Sequence, residues 1–435
     1  MNDLIIIGAG PGGYELALEA RKFNLSTVLI EKAEVGGTCL NCGCIPTKSY
    51  YKNAEFLKSL NKANKFGVNI VDYSFDFKKA LDRKDEIVTL LKGGVETSLN
   101  KAGVNLIKGS AKLVNKNTVM VDNEMILAKN IVIATGSSPI MIPNFNDALS
   151  STELLALEEL PQKLVIIGGG VIGLEFASIF NAFGTKVEVV EMLDKIIPNV
   201  DYEVSKRLMA YLKTSGIKFH LNSQALSYDN KKVLIKNKNG ELIIECDQVL
   251  VSVGRKPNID GLGLEELDIV FDKKGIKVDE NFKTNIDNIY AIGDVNGKNM
   301  LAHYATFSGY HVLNHILGVE NKINFNLIPA SVFTFPEVAV VGLTEELCEG
   351  LNYKVHKSLY RANGKAQTMD ETDGYVKIIT IDDSIVGVHI IGESASVLIH
   401  EMSSLMNNGI TLKAFKNIIH AHPTLSEIYL NTIEN

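Results

Sequence analysis

At 435 residues and roughly 150 residues per domain, the chain has the length for about three folded units. Hydrophobic residues make up 46% and charged residues 22%, with 35 Gly against 10 Pro, a balance that excludes disorder or a fibre as the main state. Lys and Arg total 44 against 51 Asp and Glu, a formal charge of −7, so nothing in the charge balance calls for nucleic acid as a partner. The longest apolar stretches, such as residues 164–174, fall short of the roughly 18 residues a membrane-spanning helix needs, and no membrane association is expected. Residues 1–3 run straight into the apolar segment 4–7 with no signal-peptide pattern, and five cysteines are too few for an extracellular disulfide framework. A cytoplasmic address is the expectation.

The first informative segment is LIIIGAGPGGYELALEARKFNLSTVLIE, residues 4–31. It reads as an apolar strand, a turn carrying Gly8, Gly10 and Gly13, an amphipathic helix, and a second strand ending in Glu31. At an offset of 160, residues 164–191, LVIIGGGVIGLEFASIFNAFGTKVEVVE, align with it without a gap and place Gly168, Gly170, Gly173 and Glu191 at the matching positions. In each copy the first Gly permits a tight turn, the second lets the backbone approach a pyrophosphate, and the third lets the helix pack close to the strand. The phosphate then sits at the helix N-terminus and the acid accepts from a ribose diol. Strand, helix, acid and duplication together predict two dinucleotide sites.

Between the copies, residues 54–101 show helical spacing, and residues 119–143 carry strand patterns ending in IVIATGSSP, which sets Thr135 and Gly136 in a turn after an apolar strand. A strand at 248–253 leads into Gly254 and closes the second unit; another at 288–292 delivers Gly293 and Asp294. From about Pro329, strands at 330–335, 338–341, 374–381 and 385–391 and helical segments after Ser394 and Leu412 read as an α+β unit. The expected fold class is α/β: two Rossmann-like dinucleotide-binding domains at 1–143 and 144–260, a central segment at 261–326, and a C-terminal α+β domain at 327–435.

Cys39, Cys42 and Cys44 lie within GGTCLNCGCIPTK, residues 36–48. A structural zinc site needs four ligands, and Cys246 and Cys348 stand alone in the sequence, so zinc is disfavoured. Inert buried thiols are equally disfavoured beside three glycines. A redox dithiol fits best, and spacing alone leaves both Cys39-x-x-Cys42 and Cys39-x4-Cys44 open.

GGTCLNCGCIPTK resembles the active-site segment of the pyridine nucleotide-disulfide oxidoreductases, and most closely that of members acting on lipoyl groups. The resemblance extends through the first glycine fingerprint, the ATG turn, the second fingerprint, the Gly293-Asp294 strand and HAHPTLSE at 420–427. It implies that Cys39 and Cys44 form the redox disulfide, with Cys42 at a position usually apolar in the family. It implies that Gly8, Gly10, Gly13 and Glu31 hold the ADP half of FAD, that Asp294 bonds the ribityl chain, and that Lys48, paired with Glu175, lies near the flavin. Thr135, Gly136, Ala302 and His303 complete that site. Gly168, Gly170, Gly173, Glu191 and Gly254 would hold the nicotinamide cofactor, and a carboxylate at 191 without a following Arg favours NAD over NADP. His422 would be the base and Glu427 its orienting partner, supplied across a homodimer made by the C-terminal domain, with His420 outside the direct role. Residues 304–308, with Tyr304, Thr306, Phe307 and Ser308 where lysine and acidic residues are usual, depart from the pattern.

The implied activity is reoxidation of protein-bound dihydrolipoyl groups, with electrons passing through Cys39 and Cys44 and FAD to NAD. The lipoyl group would be carried by a protein of a 2-oxo acid dehydrogenase or glycine cleavage complex. A glutathione- or mercuric-reductase-like enzyme of the same architecture is the nearest rival; a flavin-binding redox sensor or docking subunit is the rival from another class.

Overall fold

The computed structural model describes residues 1–434. Its first strand, Asn2–Ile7, pairs in parallel with Thr27–Glu31 on one side and Glu124–Ile133 on the other. Asn105–Lys108 extends the sheet beyond Thr27–Glu31 and Ile289–Ala291 extends it beyond Glu124–Ile133, both in parallel. Side chains alternate across this sheet. Leu4 and Ile6 pack with Leu16 and Ala20 of the helix Pro11–Lys22, while Ile5 and Ile7 pack with Leu113, Leu264 and Ile276 on the other face. Burial on both faces explains why the strand reads as a continuous apolar run. Each of the four side chains contributes about 1.5–3 kcal/mol before entropy.

The second unit repeats the plan. Lys163–Ile167 pairs in parallel with Lys186–Val190 and Gln248–Val251, and Lys218–His220 extends the sheet. Its helix Val171–Ala182 is the counterpart of Pro11–Lys22, residue for residue, at the offset of 160. In both sheets the chain leaves the first strand toward one edge and returns on the other side. The crevice at the carboxyl ends of the strands is therefore a switch point, where such sheets bind ligands. Ile289–Ala291 belongs to the first sheet although it follows the second unit in sequence, and it brings Gly293 and Asp294 to that same edge.

Residues from Ala330 form a five-stranded antiparallel sheet in the order 330–332, 337–342, 384–392, 375–381, 353–359, with the helix Ala395–Asn407 packed on it. The strand Tyr353–Leu359 was not expected. It is an edge strand bearing Lys354, His356 and Lys357, mostly half-buried and with only Ser358 fully buried, so its apolar signal is weak. The helix after Leu412 is only Leu412–Phe415.

A buried ionic cluster joins this sheet to the second unit. The Lys377 side chain is 1% exposed and its Nζ lies 2.9 Å from Asp201 Oδ1, 2.9 Å from Glu345 Oε2 and 3.0 Å from Glu203 Oε2. Burial pushes the Lys377 ammonium down, but its bonds to Glu345 and Asp201 outweigh this and hold it above its ordinary range. Burial likewise pushes Asp201 up, and Lys377 pulls it below the usual carboxylate value.

Candidate active site

The two glycine turns match in their hydrogen bonds as well as in sequence. Gly8 N donates to Ile30 O and Gly168 N to Val190 O, both at 2.8 Å. Ala9 N donates to Glu31 Oε2 at 2.7 Å, and Gly169 N to Glu191 Oε2 at 2.6 Å. Ala33 N and Leu193 N donate to the other oxygen of the same two carboxylates, each at 2.8 Å. Both acids are thus locked at the strand ends by two backbone donors, with lone pairs left for a ribose.

The glycines divide by role. Gly8 and Gly168 have φ of +106° and +109°, and a Cβ there would meet Ala134 O at 2.4 Å or Ser252 O at 2.5 Å. Gly13 and Gly173 sit under their turns, where a Cβ would strike the carbonyl of Gly8 or Gly168. A Cβ at Gly10 or Gly170, by contrast, would meet nothing within 4 Å. Those two positions cap the helices and face open space, the room a pyrophosphate takes at a helix N-terminus. The residues fit two dinucleotides.

The cysteine segment follows Glu31 and is wound into two helices, Gly37–Cys42 and Cys44–Asn61, broken at Gly43. A Cβ at Gly43 would lie 2.8 Å from Thr38 O and 3.3 Å from Cys39 Cα. Glycine is therefore what lets the chain fold back and bring Cys44 to Cys39. All five cysteines are free, and Cys246 and Cys348 are buried. The Cys39 and Cys44 thiols hydrogen-bond to each other, which pushes Cys39 well up and brings Cys44 down to about 7. Burial opposes the shift at Cys44, and Lys48 assists it.

Lys48 stands in the second turn of the helix Cys44–Asn61. Its Nζ lies 3.0 and 2.8 Å from the two oxygens of Glu175, on the helix of the second unit, and 4.4 Å from the centre of the Phe333 ring. Phe333 N donates to Glu175 Oε1 at 3.0 Å. Neither Phe333 nor its contact carries a sequence signal, because three separate units meet there.

A cavity of about 1600 Å³ is lined by Gly8, Gly10, Glu31, Cys39, Cys42, Cys44, Lys48, Thr135, Gly136, Glu175, Asp294, Ala302 and His303. It exceeds an ordinary small-molecule pocket of roughly 300–1,000 Å³, as an extended dinucleotide requires. Ser137 Oγ donates to Asp294 Oδ2 at 2.5 Å, and Arg255 Nε donates to Ser137 Oγ at 2.7 Å. Arg255 and Ser137 carry no sequence signal of their own, although Arg255 adjoins Gly254 at the start of the short strand Arg255–Pro257, which pairs with Ser137–Pro139. Thr135 Oγ1 donates to Asn258 O at 2.7 Å, tying the ATG turn to the segment after the second unit. His303 Nε2 bonds Pro329 O at 2.9 Å, and burial lowers its pKa.

The remaining predicted residues lie elsewhere. Gly168, Gly170, Gly173 and Glu191 form the second cradle, while Gly254 follows the strand Gln248–Val251 and accepts from Ile140 N at 3.0 Å. His422 and Glu427 are outside the cavity: His422 Nδ1 bonds Glu427 Oε1 at 2.9 Å, and the imidazole is 81% exposed. Thr424 N donates to the other Glu427 oxygen at 2.7 Å, and this bond, then that of His422, lowers the Glu427 pKa. His420 is instead turned to Glu401, at 2.7 Å.

Residues 2–309 match the family described as pyridine nucleotide-disulphide oxidoreductase, and residues 328–433 match its dimerisation domain. The chain belongs to this family. Among its relatives, the dihydrolipoyl dehydrogenase of Chlamydia muridarum is 39% identical, over 98% of this chain and 95% of that protein. A dihydrolipoyl dehydrogenase of Bacillus subtilis is 39% identical over 99% and 96%. Among solved structures, the HOCl-induced flavoprotein disulfide reductase RclA from Escherichia coli superposes with a TM-score of 0.88 at 28% identity, over 99% of both chains. As a pyridine nucleotide-disulfide oxidoreductase the chain is a flavoprotein with FAD and NAD as cofactors, and it carries the family's dimerisation domain. Among the described residues no helix is long and apolar enough to cross a membrane.

Proposed function

We propose that the protein oxidises dihydrolipoyl groups of a 2-oxo acid dehydrogenase or glycine cleavage complex, with Cys39 and Cys44 as the exchanging pair and the base supplied by a second subunit. The observation that carries this is the hydrogen-bonded Cys39–Cys44 pair on the cavity wall, with the Lys48–Glu175 pair beside it. Bound FAD supplies a two-electron relay from this dithiol to NAD. Residues 1–143 and 144–260 serve as the FAD and NAD domains in this reading, 261–326 completes the FAD site, and 327–435 forms the dimer. A reducing, cytoplasmic compartment suits such a pair.

The chain's own residues then have distinct tasks. His422 Nδ1 is held by Glu427, so Nε2 is free to take a proton from a lipoyl thiol. The exposure of the imidazole on its own chain supports a role at the site of a second copy. The lipoyl thiolate attacks Cys39 Sγ, the Cys39–Cys44 bond breaks, and its electron pair leaves on Cys44. A thiol with a pKa near 7 is a good leaving group in this exchange, and the Lys48 ammonium faces the charge it acquires. The second lipoyl thiol displaces Cys39, which takes up a proton because its own ionisation would set two anions side by side. Gly8, Gly10, Gly13, Glu31, Thr135, Gly136, Asp294, Ala302 and His303 hold the flavin cofactor in this reading, and Gly168, Gly170, Gly173, Glu191 and Gly254 the pyridine nucleotide.

Cys44→Ser should abolish NADH formation from dihydrolipoamide while the purified protein keeps its flavin. Wild-type turnover by that variant would overturn the proposal.

A further inference from the structure

Three thiols line the cavity, and the proposed reaction uses two of them. Cys42 is the last residue of the helix Gly37–Cys42, three positions after Cys39 and on the same helical face. Helix geometry sets their Cα atoms about 5 Å apart, inside the roughly 4.4–6.8 Å span of disulfides. The Asn41 side chain pins this helix by donating to Val35 O and Gly37 O, each at 2.9 Å, so the spacing is held. Cys42 is half-buried, and its place on the cavity wall leaves it open to exchange. Cys39 therefore has one thiol partner on each side of Gly43.

We propose that Cys42 is a second disulfide partner of Cys39, so that the oxidised protein exists as two isomers, Cys39–Cys44 and Cys39–Cys42. The inference rests on the assignment of Cys39 and Cys44 as the redox pair. In the interconversion the Cys42 thiolate attacks Cys39 Sγ. The Cys39–Cys42 bond forms, the Cys39–Cys44 bond breaks, and the electron pair leaves on Cys44. The proton lost by Cys42 passes to solvent or to Cys44, and no external oxidant or reductant is consumed. While the second isomer stands, a dithiol attacking Cys39 releases Cys42 instead of Cys44, and the electron pair reaches the flavin side only after a further exchange. The isomer is an idling form.

The test uses the FAD-loaded dimer. Oxidised wild-type protein is quenched in acid, its free thiols are blocked with a maleimide at low pH, and the tryptic peptide 33–48 is sequenced by mass spectrometry. Label divided between Cys42 and Cys44 is the expected result; label on Cys42 alone overturns the proposal. In a second arm, flavin-loaded Cys44→Ser protein is treated with glutathione disulfide. The expected product is an unlabelled peptide lighter by two hydrogens, with Cys39 joined to Cys42. Glutathione retained on Cys39 beside a labelled Cys42 overturns the proposal. The Cys42→Ser variant, which has no idling isomer, should turn over dihydrolipoamide at or above the wild-type level and show no label in peptide 33–48. Failure of the underlying assignment would be seen separately, as dihydrolipoamide turnover by Cys44→Ser.

Discussion

The duplicated turns permit a paired test in which one methyl group, added two residues apart, has opposite effects. In Gly170→Ala the new Cβ meets nothing within 4 Å and the backbone, at φ −78°, suits any residue. The protein alone loses only the advantage of Gly over Ala at a helix cap, up to about 1 kcal/mol. The methyl does occupy the space the NAD pyrophosphate needs. Displacing two backbone bonds to that charged group, at about 1.5–3 kcal/mol each, raises the NAD KM by roughly a hundredfold or more. In Gly168→Ala the Cβ lies 2.5 Å from Ser252 O at φ +109°. Backbone strain of about 1–3 kcal/mol adds to the clash, so this variant loses stability first. Urea unfolding of the flavin-loaded protein and steady-state KM for NAD separate the two, and bleaching of bound flavin by dihydrolipoamide without NAD should be unaffected in Gly170→Ala. A wild-type NAD KM in Gly170→Ala, or wild-type stability in Gly168→Ala, would refute the division of labour read from the two cradles.

Three further outcomes are expected. Lys48→Gln removes a cation that helps hold Cys44 near 7, so the Cys44 thiolate titrates at higher pH; iodoacetamide alkylation rates of the reduced protein across pH measure this, and an unchanged midpoint counts against it. Lys377→Met leaves Asp201, 1% exposed, without its cation, at a cost of about 3–5 kcal/mol. Because Asp201 is depressed in the folded protein, its contribution is complete above the ordinary carboxylate range and disappears as pH falls through the folded value; the gap between variant and wild type in urea midpoint should be widest near neutrality and close in acid, and a pH-independent gap would refute the pairing. Glu427→Gln keeps an oxygen for Thr424 N but loses the charge beside His422, so kcat for dihydrolipoamide should fall with an unchanged fold by circular dichroism, and full activity would remove Glu427 from the site.

What could be read from the sequence was local or repeated. Leu4 to Glu31 and Leu164 to Glu191 each carry a strand, a turn, a helix and an acid within 28 residues, and the structure adds that each acid is held by two backbone donors. Contacts between distant segments left no trace in spacing. Lys48 and Glu175 are 127 positions apart and were paired by family resemblance alone; Arg255, Ser137 and Phe333 had no pattern to mark them. Lys377 lies within the apolar run 375–381, where a lone lysine reads as a solvent-facing residue. Only the approach of Asp201, Glu203 and Glu345 from other segments makes its burial tolerable. The edge strand Tyr353–Leu359 carries no apolar run because Lys354, His356, Lys357 and Ser358 interrupt it.

Glu175 has a consequence for how such a protein can be remodelled. It sits on the helix whose N-terminus forms the second cradle, yet its carboxylate grips Lys48 beside the thiols and the Phe333 amide of the C-terminal unit. An exchange of the pyridine-nucleotide unit for a foreign one, made to alter coenzyme choice, would import a new residue 175 into the redox centre. Coenzyme preference and thiol reactivity are therefore inherited as one block, and a working chimera must place its junctions so that residues 48, 175 and 333 come from the same parent.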